Sequence, residues 1–292
     1  MYQAITANKR KTVLLIILFV MLIGLIGWAF QVWFQTGPGI VVLAVAVALG
    51  TSMVGYYSGD RIALSTAGAL PIQKEQNPYV YRLVENLCIT AGLAMPRIYI
   101  INDSAMNAFA TGRDPKHASI ALTTGIIEKL ENEELEGVIA HELSHIKNFD
   151  IRLMTIVIVC VGIIVLMSDF FLRGSLFGGR RNQNDNNGNP LALVGLALII
   201  LSPLFAKLIQ LAVSRKREFL ADASGVLLTR YPAGLANALE KIAQDSTPLR
   251  RTSQATAHLY IANPLKKSAS FANLFSTHPP ITERINILRT MA

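Results

Sequence analysis

His141, Glu142 and His145 form the pattern H-E-x-x-H, which is the part of the sequence best suited to chemistry. Positions four apart lie on one face of an α-helix, so both imidazoles can reach one metal ion while Glu142 lies beside them. Two such histidines supply two of the three protein ligands of a catalytic zinc site, and a glutamate serves as its general base. The alternative is a surface helix with two solvated histidines.

The residues around this pattern predict a capped, amphipathic helix. Asn132 is the expected N-cap, and the glutamates after it place negative charge where the helix dipole favours it. An apolar stripe follows at helical spacing and consists of Leu135, Val138, Ile139, Leu143 and Ile146. This is the context in which H-E-x-x-H indicates a metal site.

A catalytic zinc site needs a third protein ligand and an open position for water. We predict Glu218 as that ligand, because it begins a helix and has Asp222 four residues later on the same face. Asp222 can then accept the second ring N–H of a ligating histidine and fix its tautomer. The alternative for Glu218 is a solvated carboxylate paired with Arg215 or Lys216.

The composition indicates a membrane protein with a soluble part. Of the 292 residues, 52% are hydrophobic and only 16% are charged, against about 25% charged in soluble domains. Cys88 and Cys160 are far apart, so neither a disulfide framework nor a cysteine metal site is predicted. Basic residues flank the apolar stretches, so the net charge of +8 indicates a membrane-proximal surface rather than binding to nucleic acid.

Apolar stretches long enough to cross a bilayer are found at residues 12–34, 40–57, 151–172 and 191–213. Basic residues precede the first stretch and place the N-terminus in the cytoplasm by the positive-inside rule. The third and fourth stretches carry charged residues near their ends, and a buried helical hairpin is their alternative. Because His141 and Glu218 lie on either side of this pair and must meet, both stretches cross the membrane or neither does.

Short β-type runs separated by turn signals precede the metal helix and predict a small antiparallel sheet, at residues 97–101, 107–111 and 119–123. The fold class is therefore an α-helical membrane protein with four transmembrane helices and an α+β catalytic domain. The expected order is a membrane hairpin at 1–60, the first part of a cytoplasmic catalytic domain at 61–150, a second hairpin at 151–213 and the rest of that domain at 214–292.

Four motifs in order resemble those of one family: N-A-F-A-T-G at 107–112, H-E-L-S-H at 141–145, E-F-L-A-D at 218–222 and T-H-P-P-I-T-E-R at 277–284. With the apolar stretches and the length, they resemble HtpX, the heat-shock-associated membrane zinc proteases of bacteria. The catalytic pattern, of gluzincin type, is shared with the type I CaaX prenyl proteases. The resemblance implies a zincin-like domain with one zinc ion per chain, held by His141, His145 and Glu218, and Glu142 as the catalyst.

The resemblance also implies a cellular role. It implies a multi-pass protein of the bacterial plasma membrane, with its active site in the cytoplasm, that cleaves unfolded or misfolded membrane proteins under stress. It implies contributions near the site from His278 and Arg284, for which the residues alone equally allow a turn cap and a surface ion pair. The sequence does not determine the oligomeric state.

Two other functional classes compete with a protease. A non-proteolytic protein with structural zinc would normally close the fourth metal position with cysteine or histidine, and no cysteine is near. An ion or solute transporter would carry ionisable residues at the middle of its spans, whereas here they lie near the ends.

A protease that cuts unfolded chains of varied sequence must bind its substrate without relying on the substrate's side chains. Pairing the substrate as an added strand on a sheet edge achieves this through main-chain hydrogen bonds. We predict such an edge at Asn107, Ala108, Phe109 and Ala110, where small and larger residues alternate. The alternative is an interior strand of the sheet.

Overall fold

The computed structural model describes residues 2–177, 215–251, 256–262 and 279–291. Two helices, α1 (Tyr2–Phe34) and α2 (Gly39–Ala67), form a hairpin, and both are long and apolar enough to cross a membrane. A third helix, α6 (Asp150–Phe177), covers the third apolar stretch without interruption. The fourth predicted span lies outside the described residues.

Small residues allow α2 and α6 to pack closely. A Cβ at Gly55 would lie 2.8 Å from Val159 Cγ1, and one at Gly59 would lie 2.5 Å from Thr155 Cγ2. Close approach at small residues is the usual means by which membrane helices associate, because burial from lipid gives no hydrophobic gain. The second helix and the helix that follows the metal motif are thereby held together.

The sheet is mixed, so the predicted antiparallel arrangement is wrong. Its strands are β1 (Ala69–Pro71), β2 (Arg97–Ile101), β3 (Ala108–Gly112) and β4 (Ala118–Thr123). They lie in the order β1-β2-β4-β3, with β2 parallel to β4 and the other pairs antiparallel.

The segment after β2, in which the sequence predicted a tight turn, instead crosses to the far edge of the sheet. Asp103 accepts main-chain hydrogen bonds from Ala105 at 3.0 Å and from Arg250 at 2.7 Å, so its loop is fastened to a distant part of the chain. The chain then reaches the sheet edge as β3, and β4 returns between β2 and β3. Strand β1 was not predicted by the sequence.

Both faces of the sheet are covered by helices. One face packs on α3 (Pro78–Ala91) and α5 (Asn132–Lys147), with Ala108, Ala110 and Ile120 among the buried residues. The other face packs against the ends of α2 and α6 and includes Phe109 and Ala121. Short helix α4 (Thr124–Lys129) connects β4 to α5.

Helix α5 lies at the centre of the catalytic domain. Its N-cap is Glu131, whose N–H donates to Glu134 Oε2 at 2.9 Å, and the prediction of Asn132 as the cap is wrong by one residue. Residues on all sides of the helix are buried, because α3, α7 (Arg215–Thr229) and α8 (Pro232–Gln244) pack against it. The last helix, α9 (Ile281–Thr290), packs on α8 and completes this domain. Any polar side chain in the middle of α5 is therefore enclosed.

Helices α5 and α7 approach each other closely at Gly225, where an added Cβ would lie 3.2 Å from the main-chain nitrogen of His141. We expect Gly225→Val to lower the free energy of unfolding by about 1–3 kcal/mol, because the larger side chain must push the helices apart. The control is Gly162→Val in α6, since a Cβ there meets none of the described atoms within 4 Å. Equal loss in denaturant unfolding of both variants would contradict the close contact.

Candidate metal centre

Three buried side chains from two helices converge at one point. His141 and His145 come from α5 and Glu218 comes from the first turn of α7, and each is at most 5% exposed. Their ligand atoms all lie within 4.8 Å of one another. The residues predicted from the sequence as metal ligands are thus brought together.

The separations between these atoms suit a metal ion. His141 Nε2 and His145 Nε2 are 3.2 Å apart, and they lie 3.7 Å and 3.6 Å from the two oxygens of Glu218. A tetrahedral zinc ion with bonds of about 2.0–2.1 Å holds its ligand atoms about 3.3–3.4 Å apart. Two imidazoles and one carboxylate are also the donor set of catalytic zinc sites with an open position.

The first histidine is oriented by Asp222 and Arg284. His141 Nδ1 lies 2.9 Å from Asp222 Oδ1, which leaves Nε2 to face the metal position. Arg284 donates to both oxygens of Asp222, from Nη2 at 2.6 Å and from Nε at 2.8 Å. Burial raises the pKa of Asp222, but the charge of Arg284 and the hydrogen bond to His141 outweigh this and lower it to about 2. Asp222 therefore remains a carboxylate acceptor, as predicted from its spacing.

The second histidine has an equivalent partner that the sequence reasoning missed. His145 Nδ1 lies 3.0 Å from Asp150 Oδ2, so its Nε2 also faces the metal position. The signal was present in the sequence, because Asp150 follows the metal helix five residues after His145. It went unnoticed because the chain turns at Phe149, in a left-handed conformation with a φ of 60°, before Asp150 comes back to the imidazole.

Glu142 lies against this cluster and is 2% exposed. Burial lowers the pKa of His145, but the hydrogen bond to Asp150 and the charges of Glu218 and Glu142 raise it to about 9 in the absence of metal. The charge of Glu142 also contributes to raising the pKa of Arg284. Its carboxylate is thus close enough to His145 and Arg284 to stabilise their charged forms.

Arg284 is a buried residue of the site and not a surface ion pair. It is 1% exposed, and its Nη1 lies 3.6 Å from Glu218 Oε2. Nη1 also donates to the main-chain oxygen of Ile261 at 3.4 Å. One guanidinium therefore connects the third ligand, the partner of the first ligand and the segment at residue 261. His278, the other predicted contributor, lies outside the described residues.

Among the described strands β3 lies at the sheet edge, next to β4 alone, but its other side is partly covered. Thr123 N–H donates to Asn107 C=O, so the antiparallel alternation turns Phe109 toward β4 and the main-chain groups of Ala108 and Ala110 outward. Ile261 N–H already donates to Ala108 C=O at 3.0 Å. Asn107 itself is buried, and its Nδ2 donates to the carbonyl of Ala262 at 3.0 Å.

The side chains of this strand do not leave one face open. Ala108 and Ala110 are buried in the core against α5, and Phe109 lies edge-on to Tyr260 with ring centroids 5.0 Å apart. None of the described residues bonds to the outward main-chain groups of Ala110. The stretch open for a substrate strand is therefore shorter than the sequence predicted.

The comparisons with known proteins agree on one family. Residues 74–292 match the model of Peptidase family M48. A protein named "Protease HtpX homolog" from Caldanaerobacter subterraneus subsp. tengcongensis is 45% identical over 296 residues, which cover 100% of this chain and 98% of the relative. One of the same name from Tropheryma whipplei is 46% identical over 291 residues, which cover 100% and 98%. The resemblance predicted from the four motifs is confirmed.

A solved structure shares the fold. The crystal structure of Ste24p from S. mikatae aligns with a TM-score of 0.52 at 18% sequence identity, covering 99% of this chain and 67% of that chain. At this identity the likeness concerns the fold alone.

We expect Arg284→Met to lower the free energy of unfolding by about 3–5 kcal/mol, because it leaves the buried Asp222 and Glu218 without their cation. Arg284→Lys should lose less, since it keeps the charge but not the two parallel hydrogen bonds to Asp222. Thermal unfolding of the metal-free protein in detergent measures both. Identical unfolding temperatures for parent and Arg284→Met would show that the ion pair is not part of the folded core.

Proposed function

This chain belongs to peptidase family M48, and from that premise we propose that it is a membrane-embedded zinc endopeptidase that cleaves damaged or misfolded membrane proteins on the cytoplasmic side. That it is a membrane-associated metallopeptidase follows from the family and its relatives. The single observation that carries the rest is the convergence of His141, His145 and Glu218 beside the buried Glu142. The competing transporter and structural-zinc hypotheses do not account for a buried carboxylate at that point.

The residues of the site divide the work of peptide hydrolysis. His141, His145 and Glu218 would hold zinc, which would supply polarisation of the scissile carbonyl and a lowered pKa for a bound water molecule. Glu142 takes the proton from that water and delivers it to the leaving amine. Asp222 and Asp150 hold the two imidazoles in the tautomer whose Nε2 is free to bind metal.

Proximity of the site to the membrane supports membrane proteins as substrates. Helix α6 begins at Asp150, which itself contacts His145, so the metal centre lies at the base of the long apolar helices. Segments of a membrane protein that emerge from the bilayer would be within reach of the site. A soluble substrate would have to come to the membrane surface to reach the site.

Cationic and aromatic side chains at this level support the cytoplasmic orientation. Lys9 and Arg152 lie over the ring of Phe149, at 4.8 Å and 5.0 Å from its centroid, and Arg113 lies over Tyr57 at 5.2 Å. Basic residues are enriched on the cytoplasmic side of membrane proteins, and aromatic residues are enriched at the interface. Both features occur at the end of the hairpin that carries the catalytic domain.

We also propose that part of the substrate pairs with the outer edge of β3. Of the four predicted positions we propose Ala110 as the one that pairs with substrate, because its outward N–H and C=O can each make one hydrogen bond to an extended chain. Residues 260–262 cover this edge, so they must move aside for the substrate to reach it. Such pairing would hold chains of varied sequence, as degradation of misfolded proteins requires.

Glu142→Gln should retain zinc and the fold, because side-chain volume is preserved, but should lower kcat by about 10²–10⁴-fold through loss of the base. Glu218→Ala and His145→Ala should lose zinc as well as activity. The measurements are cleavage of a denatured protein by the purified enzyme, with and without chelator, and zinc content by elemental analysis. Full proteolysis by Glu142→Gln would contradict the mechanism.

Proline substitutions test the substrate strand. Phe109→Pro removes an N–H that faces β4, so the fold should weaken, whereas Ala110→Pro removes an outward N–H and should spare zinc content and folding. Cleavage by Ala110→Pro should fall. If both variants lose stability equally, or if Ala110→Pro cleaves at the parental rate, the substrate is gripped elsewhere.

Cysteine labelling tests the orientation. Gly37, between α1 and α2, and Gln76, before α3, are both exposed, while the native Cys88 and Cys160 are buried. In intact bacterial cells a membrane-impermeant maleimide should label Gly37→Cys but not Gln76→Cys, and lysis should make Gln76→Cys reactive. The unsubstituted protein is the control, and the reverse pattern would place the active site outside the cell.

A further inference from the structure

Asn8, near the start of α1, is buried against the chain around the metal centre, with 3% of its surface exposed. Its Nδ2 donates to Asp150 Oδ1 at 2.6 Å and to the main-chain oxygen of Asn148 at 3.1 Å. Its Oδ1 accepts a hydrogen bond from Arg217 Nη1 at 3.4 Å. The amide therefore uses both its donor and its acceptor beside the metal site.

Asp150 connects this amide to a metal ligand. Its Oδ2 lies 3.0 Å from His145 Nδ1, while its Oδ1 accepts from Asn8 and lies 3.6 Å from Arg217 Nη1. A carboxylate held at both oxygens cannot rotate without losing one of these contacts. It therefore fixes the direction of the imidazole and keeps the proton on Nδ1, so that Nε2 faces the metal.

We propose that Asn8 and Asp150 are positioning residues of the zinc site. Asn8 orients Asp150, Asp150 orients His145, and the first membrane helix is thereby a structural part of the metal centre as well as an anchor. The inference rests on the proposed function in taking the three ligands to hold zinc.

The residue type at position 8 suits this role. Asparagine is neutral, so it donates to a carboxylate and accepts from a guanidinium without adding charge to a buried cluster. A leucine of similar volume would fill the same space but would leave Asp150 Oδ1 without its shortest hydrogen bond. An aspartate would place a second carboxylate against Asp150, which like charges disfavour.

Arg217 extends the same contacts to the third ligand. It directly precedes Glu218 in the chain and is 8% exposed, so its contacts with Asn8 and Asp150 hold the first turn of α7 in place. Helices α1, α6 and α7 therefore meet at one polar cluster beside the metal position. A shift of α1 would act on His145 through Asp150.

The alternative role for Asn8 is to pack α1 against α6, and Leu15 provides the matched control for that role. Leu15 is on the same helix, is buried, and belongs to an apolar cluster with Leu153 and Val157 of α6. It reaches none of the polar groups around the metal. Leu15→Ala therefore weakens helix packing without touching the contacts to Asp150.

The test uses the full-length protein in detergent, as parent, Asn8→Leu, Asp150→Asn and Leu15→Ala. It measures the zinc dissociation constant by chelator competition, the visible spectrum after substitution with Co²⁺, and thermal unfolding of the metal-free protein. Asn8→Leu and Asp150→Asn should weaken zinc binding by about 10–100-fold and shift the Co²⁺ bands, because His145 is no longer held. Leu15→Ala should lower the unfolding temperature at parental zinc affinity.

A double variant tests the path through Asp150. Asn8→Leu combined with Asp150→Asn should weaken zinc binding no more than Asp150→Asn alone, because both changes act through one carboxylate. Losses that multiply would overturn the proposal. So would a parental zinc affinity and Co²⁺ spectrum in Asn8→Leu, or an equal loss of zinc in Leu15→Ala.

A variant that does not fold and a parent protein that binds no zinc are interpreted separately. If Asn8→Leu does not fold, Asn8→Ala, which also lacks the donor, is judged by the same criteria. A parent protein that binds no zinc contradicts the proposed function, whereas zinc binding that is independent of Asn8 contradicts only the role of the first helix.

Discussion

The contact between α5 and α7 is the constraint on which the metal centre depends. His145 and Glu218 are separated in sequence by the third and fourth apolar stretches, so their ligand atoms meet only if these two helices lie side by side. Gly225 makes that possible, because any larger side chain would press on the backbone at His141. The helix that carries two ligands and the helix that carries the third are thus set at a distance fixed by backbone contact.

The charged residues buried at this contact must be paired with one another. Asp222, Glu218, Asp150 and Arg284 are each 1% exposed, and an unpaired charge in such a place costs several kcal/mol. Arg284 offsets this cost by binding Asp222 at both oxygens and lying near Glu218. The same pairing that stabilises the buried acids also fixes the tautomer of a metal ligand, so stability and catalysis depend on the same contacts.

The membrane helices and the catalytic centre are one unit in this fold. The metal helix ends at Lys147, and Asp150 both begins α6 and contacts His145. The long apolar helix α6 therefore starts at a residue of the site.

Sequence alone determined what depends on local spacing. The i, i+4 geometry of a helix brings His141 and His145 together and places Asp222 on the face of Glu218, and the length of an apolar run predicts a span wherever it occurs. Only the tertiary structure decided which distant groups pair. The family resemblance implied a contribution from Arg284, but residue spacing could not show that it pairs with Asp222, nor that Ile261 lies on the edge of β3, because these contacts join residues far apart in the chain. A buried charge or an open strand edge requires a partner, but the fold decides which residue supplies it.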